Sequence, residues 1–172
     1  MSLNTLEEIA NYIVSDGKGI LAADESNPTC GKRFDSIGVE STEINRRDYR
    51  EMLFRASGMQ DNIGGVILFD ETIRQNAEDG TPLVELIKSQ GALPGIKVDK
   101  GLAPLESSPE ETVTQGLDGL DERCKEYVSL GAKFTKWRAV IKISESLPTD
   151  ECIEANMQAL AKYAKIVQNN NM

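Results

Sequence analysis

The sequence predicts an α/β fold built on four parallel strands, and three observations predict it. Short β-like apolar runs alternate with longer segments of helical periodicity along the whole chain. The segments between successive runs are long enough to be helical crossovers, and crossovers make neighbouring strands parallel. Charged residues close the apolar runs, the placement by which parallel α/β sheets line a ligand crevice at the carboxyl ends of their strands. At 172 residues the chain can bury one sizeable core, so residues 1–172 are expected to be a single domain.

Taken in order, Leu3, Leu6, Ile9, Ala10 and Ile13 recur at helical spacing, and Gly17 and Gly19 end that first helix. Gly19 to Asp24 is a short buried strand, followed by a polar, turn-rich stretch with Pro28 and Gly31. Tyr49, Met52, Leu53 and Ala56 mark a helix within residues 45–57, preceded by the polar Ser41 and Thr42. Gly65 to Phe69 is the second strand. The Gly64-Gly65 pair lacks the spacing of a dinucleotide or phosphate-loop fingerprint and is expected to be a tight turn. Thr81 offers an N-cap with Pro82 at the first helical position, for a helix reaching Gln90. Residues 95–99 hold the third strand. Ser108-Pro109-Glu110-Glu111 has the form of a capping box with Pro in the first turn, predicting a helix from there to Gly131. Residues 134–143 contain the fourth strand. Thr149-Asp150-Glu151 opens a last helix with Ile153, Met157, Leu160, Ala161, Ala164 and Val167 on one face. Four such units suit an open doubly wound sheet or half of an eight-stranded barrel, and periodicity does not separate the two. A complete barrel takes about 250 residues.

Composition removes several classes of function. A net charge of −9 argues against nucleic acid and anionic membrane surfaces as partners. No apolar run is long enough to span a bilayer. Met1 to Ile9 has neither the basic start of a signal peptide nor the arginines of a transit peptide. Cys30, Cys124 and Cys152 are scattered without a CxxC spacing, so neither a disulfide framework nor a zinc site is expected, and a reducing cytoplasm is the simplest setting. There is no histidine, which removes Ser-His-Asp and Cys-His schemes. Acid–base or nucleophilic chemistry is left to Lys, Asp, Glu, Tyr or Cys.

The strand ends carry such groups. Asp24 ends the first strand, Asp99 and Lys100 the third, and Lys136 and Arg138 alternate on the fourth, facing one side. A lone charge beside a strand is usually a solvated strand end. Several on different strands of one parallel pattern point to a site, and three cations suit a phosphorylated ligand. Arg138 near Lys136 favours a neutral, proton-accepting lysine, whereas Asp24, if close, favours a charged one. Lys97, between Ile96 and Val98, reads as a snorkelling strand lysine.

Five ordered segments resemble class I fructose-bisphosphate aldolases: Lys18 to Ser26 (KGILAADES), Gly64 to Phe69 (GGVILF), Gly95 to Gly101 (GIKVDKG), Thr114 to Leu120 (TQGLDGL) and Lys136-Trp137-Arg138. The likeness covers nearly the whole chain. It implies a (β/α)8 TIM barrel, of which this chain is a four-strand parallel half-barrel. It implies reversible cleavage of fructose 1,6-bisphosphate to dihydroxyacetone phosphate and glyceraldehyde 3-phosphate, in glycolysis or gluconeogenesis. That chemistry runs through a lysine imine, so no metal and no cofactor is expected. By the resemblance, Asp24 orients the imine lysine, and Lys136 assists carbinolamine formation and moves protons near the reacting carbon. Ser26 and Lys100 hold the 6-phosphate, with Arg138 as a further cation; Arg33 and Arg46 line the cleft. Thr29 stands where relatives often have a second serine and keeps its hydroxyl, and Asp70 stands where many have histidine. The family's imine lysine, its acid–base glutamates, its second phosphate loop and its C-terminal tyrosine belong to strands and a tail beyond the fourth unit. This chain alone is therefore expected to be inactive, and to self-associate or pair with a C-terminal half. The alternative is a non-enzymatic half-barrel that binds sugar phosphate or a partner chain.

Overall fold

The computed structural model of the chain describes residue 3, residues 5–15 and residues 17–172. In chain order the elements are α1 (Leu6–Tyr12), β1 (Gly19–Ala23), α2 (Asn27–Asp35), α3 (Glu43–Phe54), α4 (Met59–Asn62), β2 (Ile63–Leu68), α5 (Asp70–Ile73), α6 (Leu83–Ser89), β3 (Leu93–Lys97), β4 (Leu102–Pro104), β5 (Thr112–Thr114), α7 (Leu120–Ser129), β6 (Phe134–Lys136) and α8 (Asp150–Asn169). β1, β2, β3 and β6 form one sheet in that order, and every neighbouring pair is parallel. β4 and β5 pair antiparallel as a separate hairpin. Because crossovers share one hand, a sheet whose order never reverses carries its helices on one face. That is the arc of a barrel, not a doubly wound sheet.

Register assigns the two faces. Leu21, Val66 and Pro94 lie level across β1, β2 and β3, and Ala23, Leu68 and Ile96 form the next level on the same side. Val66, Leu68 and Ile96 are fully buried, in one cluster with Phe54, Leu83, Ile87, Leu120 and Val167 from the helices. Burying a side chain of this kind contributes roughly 1.5–3 kcal/mol. The other face carries Ala22, Ile67, Gly95 and Phe134 at one level. Here the Phe134 ring lies flat over the backbone of β3. A Cβ added to Gly95 would stand 2.4 Å from the ring, so only glycine fits.

Gly64 and Gly65 lie inside β2 and are not a turn before it. Gly64 is there because the α1–β1 connection crosses it: a Cβ would meet the Ile13 carbonyl oxygen at 2.4 Å. Backbone cannot rotate away as a side chain does. Gly64→Ala should therefore destabilise the chain by about 1–3 kcal/mol, seen as a lower urea midpoint at unchanged slope. A midpoint equal to wild type would show that the crossing is not tight.

Four other expectations need correction. Residues 108–111 form a turn joining β4 to β5, and the helix begins only at Leu120, after Gly119 in the left-handed conformation (φ 63°). The capping-box pattern is local, but Glu111 finds a distant partner. Its buried carboxylate accepts from the Thr149 N–H (2.9 Å) and hydroxyl (2.7 Å), at the start of α8. The fourth strand stops at Lys136. Beyond it the Arg138 carbonyl accepts from the Thr114 hydroxyl (2.7 Å), so the hairpin and not the sheet takes up that backbone. The stretch with Pro28 is helical, since proline is tolerated in the first turn. The helix expected at Pro82 starts one residue later, at Leu83.

Candidate active site

The face that carries Phe134 leads directly to the charged residues. Two residues on from Ala22, Ile67, Gly95 and Phe134, the same side of the sheet presents Asp24, Phe69, Lys97 and Lys136. All four line a cleft of about 880 Å³ at the carboxyl ends of the strands. Lys136 Nζ donates to Asp24 Oδ2 at 2.5 Å, across 112 residues of sequence. The Asp24 side chain is 9% exposed and that of Lys136 30%. Of the two neighbours weighed for Lys136, the carboxylate is the one in contact.

Lys97 is not a snorkelling surface lysine. It stands level with Lys136 in adjacent parallel strands, and its Nζ donates to the Asp99 carboxylate (2.7 Å) and carbonyl (2.9 Å) within the cleft. The signal lies in the register: Lys97 occupies in the third strand the position that Lys136 occupies in the fourth. Asp99 is buried and its other carboxylate oxygen has no partner among the described residues. Arg123, which no strand-end pattern in the sequence marks, also lines the cleft. Its guanidinium donates to the Val98 carbonyl (3.0 Å) and the Gly116 carbonyl (2.5 Å), pinning the end of β3 to the base of the hairpin.

The remaining expected residues fall into two groups. Ser26, Thr29, Arg33, Lys100 and Arg138 line the cleft. Ser26 precedes α2 and its hydroxyl lies 3.1 Å from that of Thr29, so two hydroxyls stand together at a helix start, an arrangement suited to phosphate. Arg33 is paired with Glu25 at the rim. Arg46 does not reach the cleft. It binds Glu71 through Nε and one terminal nitrogen, both at 2.7 Å, and donates to the Ser41 carbonyl. Asp70 lines the cleft and accepts from Arg74 (3.0 Å) and Tyr127 (2.9 Å). Burial pushes its carboxyl up, and these hydrogen bonds outweigh that and hold it below the usual range.

The Arg46–Glu71 pair makes a pH prediction. The hydrogen bonds from Arg46 hold the Glu71 carboxyl below its ordinary value. A lowered carboxyl stabilises the fold above its unfolded pKa of about 4.3 and loses that contribution as pH falls through the folded value. Arg46→Gln should flatten the fall in urea midpoint with acidification below that pH. Parallel wild-type and variant curves would remove the pair as a contributor.

Comparison with known proteins decides the family. A family model described as fructose-bisphosphate aldolase class-I matches residues 5–172. The chain belongs to that family. It is 54% identical over its whole length to a probable fructose-bisphosphate aldolase class 1 of Xanthomonas axonopodis, covering 52% of that protein. It is 56% identical over 97% of its length to fructose-bisphosphate aldolase C-A of Danio rerio, covering 46% of it. The solved fructose-bisphosphate aldolase of Plasmodium falciparum, in complex with TRAP and a small-molecule inhibitor, superposes with a TM-score of 0.93 at 50% identity, over 95% of this chain and 48% of that one. The chain thus spans about half the length of the curated relatives it matches, and its four parallel strands are a half-barrel of the (β/α)8 TIM fold. Among the described residues no helix is long and apolar enough to cross a membrane.

Proposed function

We propose that residues 1–172 form one domain, the N-terminal half of a class I aldolase barrel that reversibly cleaves fructose 1,6-bisphosphate in glycolysis or gluconeogenesis, in the cytoplasm. The observation that supports this most is the 2.5 Å contact of Lys136 with Asp24, in a cleft that also holds Lys97, Lys100 and Arg138. A buried carboxylate touching an ammonium can pass a proton to and from a reacting oxygen or carbon. Lys136 serves carbinolamine formation, and Asp24 orients both Lys136 and the imine lysine. Ser26, Thr29 and Lys100 take the 6-phosphate, Arg138 and Arg33 add positive charge along the cleft, and Lys97 reaches the sugar between them. Arg46 acts from behind, by fixing Glu71.

The imine lysine comes from a C-terminal half. The inner face supports that pairing: Ile20 on β1 is 41% exposed, beside an apolar groove lined by Ile9, Ile13, Ile67, Phe134 and Tyr163. The test is to supply the C-terminal half of a full-length relative and measure cleavage of fructose 1,6-bisphosphate. Turnover by the pair is expected, and a pair that associates without turnover refutes the reading. In that pair Lys100→Ala should raise the dissociation constant for the sugar bisphosphate by about 10-fold, the loss of one charge-assisted contact. Unchanged affinity would remove Lys100 from the phosphate site.

A further inference from the structure

Arg50, on the outer side of β1, is 2% exposed, and no role described above uses it. A buried arginine is retained only where all its donors are matched. Its Nε donates to the Ala23 carbonyl at 2.7 Å. One terminal nitrogen donates to the Glu25 carbonyl at 2.9 Å and lies 3.1 Å from the Glu25 carboxylate. The other donates to the Cys30 sulfur at 3.1 Å. The two carbonyls flank Asp24 on either side. One rigid planar fork therefore holds the peptide unit before Asp24 and the one after Glu25, bracketing the short segment that carries the Asp24 side chain just past the end of β1.

We infer that Arg50 is a positioning residue for Asp24: its guanidinium brackets the Ala23 and Glu25 carbonyls and so aims the Asp24 carboxylate at Lys136. The inference rests on the aldolase reading for its effect on turnover, but not for its geometry. Lysine at position 50 keeps the charge and loses the fork, because a single ammonium cannot reproduce the planar array of donors. Freed to rotate, the segment moves the Asp24 carboxylate off Lys136. A misplacement on the order of 1 Å in a reacting constellation costs about 10²-fold.

The experiment compares wild type and Arg50→Lys, each paired with the C-terminal half of a full-length relative. Rates are counted per site, one site for each 1:1 pair isolated by size-exclusion chromatography, because covalent trapping would itself depend on Asp24 and Lys136. A merely structural role lowers the number of sites and leaves the rate per site alone. The inference requires kcat per site to fall by about 10²-fold with KM little changed. An unchanged kcat per site overturns it. If the wild-type pair has no turnover, the aldolase reading fails, and crystal structures of the wild-type and Arg50→Lys chains still decide the positioning role: loss of the Lys136–Asp24 contact in the variant supports it, and a retained contact overturns it. If the variant does not fold, the wild-type structure with fructose 1,6-bisphosphate bound decides. A guanidinium still within about 3 Å of both carbonyls supports the role, and one that has left either carbonyl overturns it.

Discussion

Lys136→Ala, in the chain paired with a C-terminal half, should lower kcat by about 10²- to 10⁴-fold, the span of a lost acid–base group, with little change in KM. The size follows from position. Lys136 ends β6 on the cleft side, and its ammonium is bonded to Asp24, a carboxylate with a 9% exposed side chain. Truncation removes the proton carrier and leaves that carboxylate without its cation. On the proposed reading the substrate is held mainly by other groups, among them Ser26, Thr29 and Lys100, so ground-state binding should persist. An interaction made at the reacting centre appears in kcat, and one made with the phosphate appears in affinity. Lys136→Ala and Lys100→Ala should therefore separate. A Lys136→Ala enzyme with wild-type kcat would take the residue out of the chemistry.

The second large effect concerns the 172-residue chain on its own. It should show no aldolase turnover, because without the imine the developing carbanion has no electron sink. It should also self-associate. Among the described residues β1 and β6 each pair on one side only, and an open edge offers unpaired N–H and C=O groups to another chain. The helix-facing residues Val66, Leu68 and Val98 are already fully buried and do not contribute to this tendency. The exposed apolar groups include Ile20 on the inner face, Ile143 (83% exposed) beyond β6 and Met157 (57%) on α8. Each such group left in water forgoes roughly 1.5–3 kcal/mol against a net stability of about 5–15 kcal/mol. Size-exclusion chromatography with light scattering reads the outcome. A monomer across a wide concentration range contradicts the second part, and any turnover contradicts the first.

The four strands of the parallel sheet were legible because their apolar runs are short, dense and bounded by glycine and charge, whereas the three-residue strands β4 and β5 were not. Helix starts were legible where the cap is satisfied locally: Thr42 accepts from Asn45 and Thr149 from Cys152. Where a partner lies far along the chain, local pattern misled. Glu111 reads as the closing residue of a capping box but serves Thr149, 38 residues on. The Asn27–Pro28 stretch reads as a turn because proline and glycine mark both turns and first helical turns. In the cleft, strand-end charges pointed to Asp24, Lys100, Lys136 and Arg138. Lys97 was passed over because alternation with Ile96 and Val98 says which face a side chain takes, not whether that face is solvent or cleft. Only the register with β6 settles that. Arg123 and Arg50 act on backbone carbonyls of distant strands, and no sequence pattern marks such contacts.

The central claim is that this half supplies the supporting charges and the other half supplies the imine. Borohydride trapping with fructose 1,6-bisphosphate, followed by peptide mapping of the paired halves, tests it most directly. The account predicts a reduced adduct on a lysine of the C-terminal half, and none on this chain, alone or paired. An adduct on Lys97, Lys100 or Lys136 would contradict it.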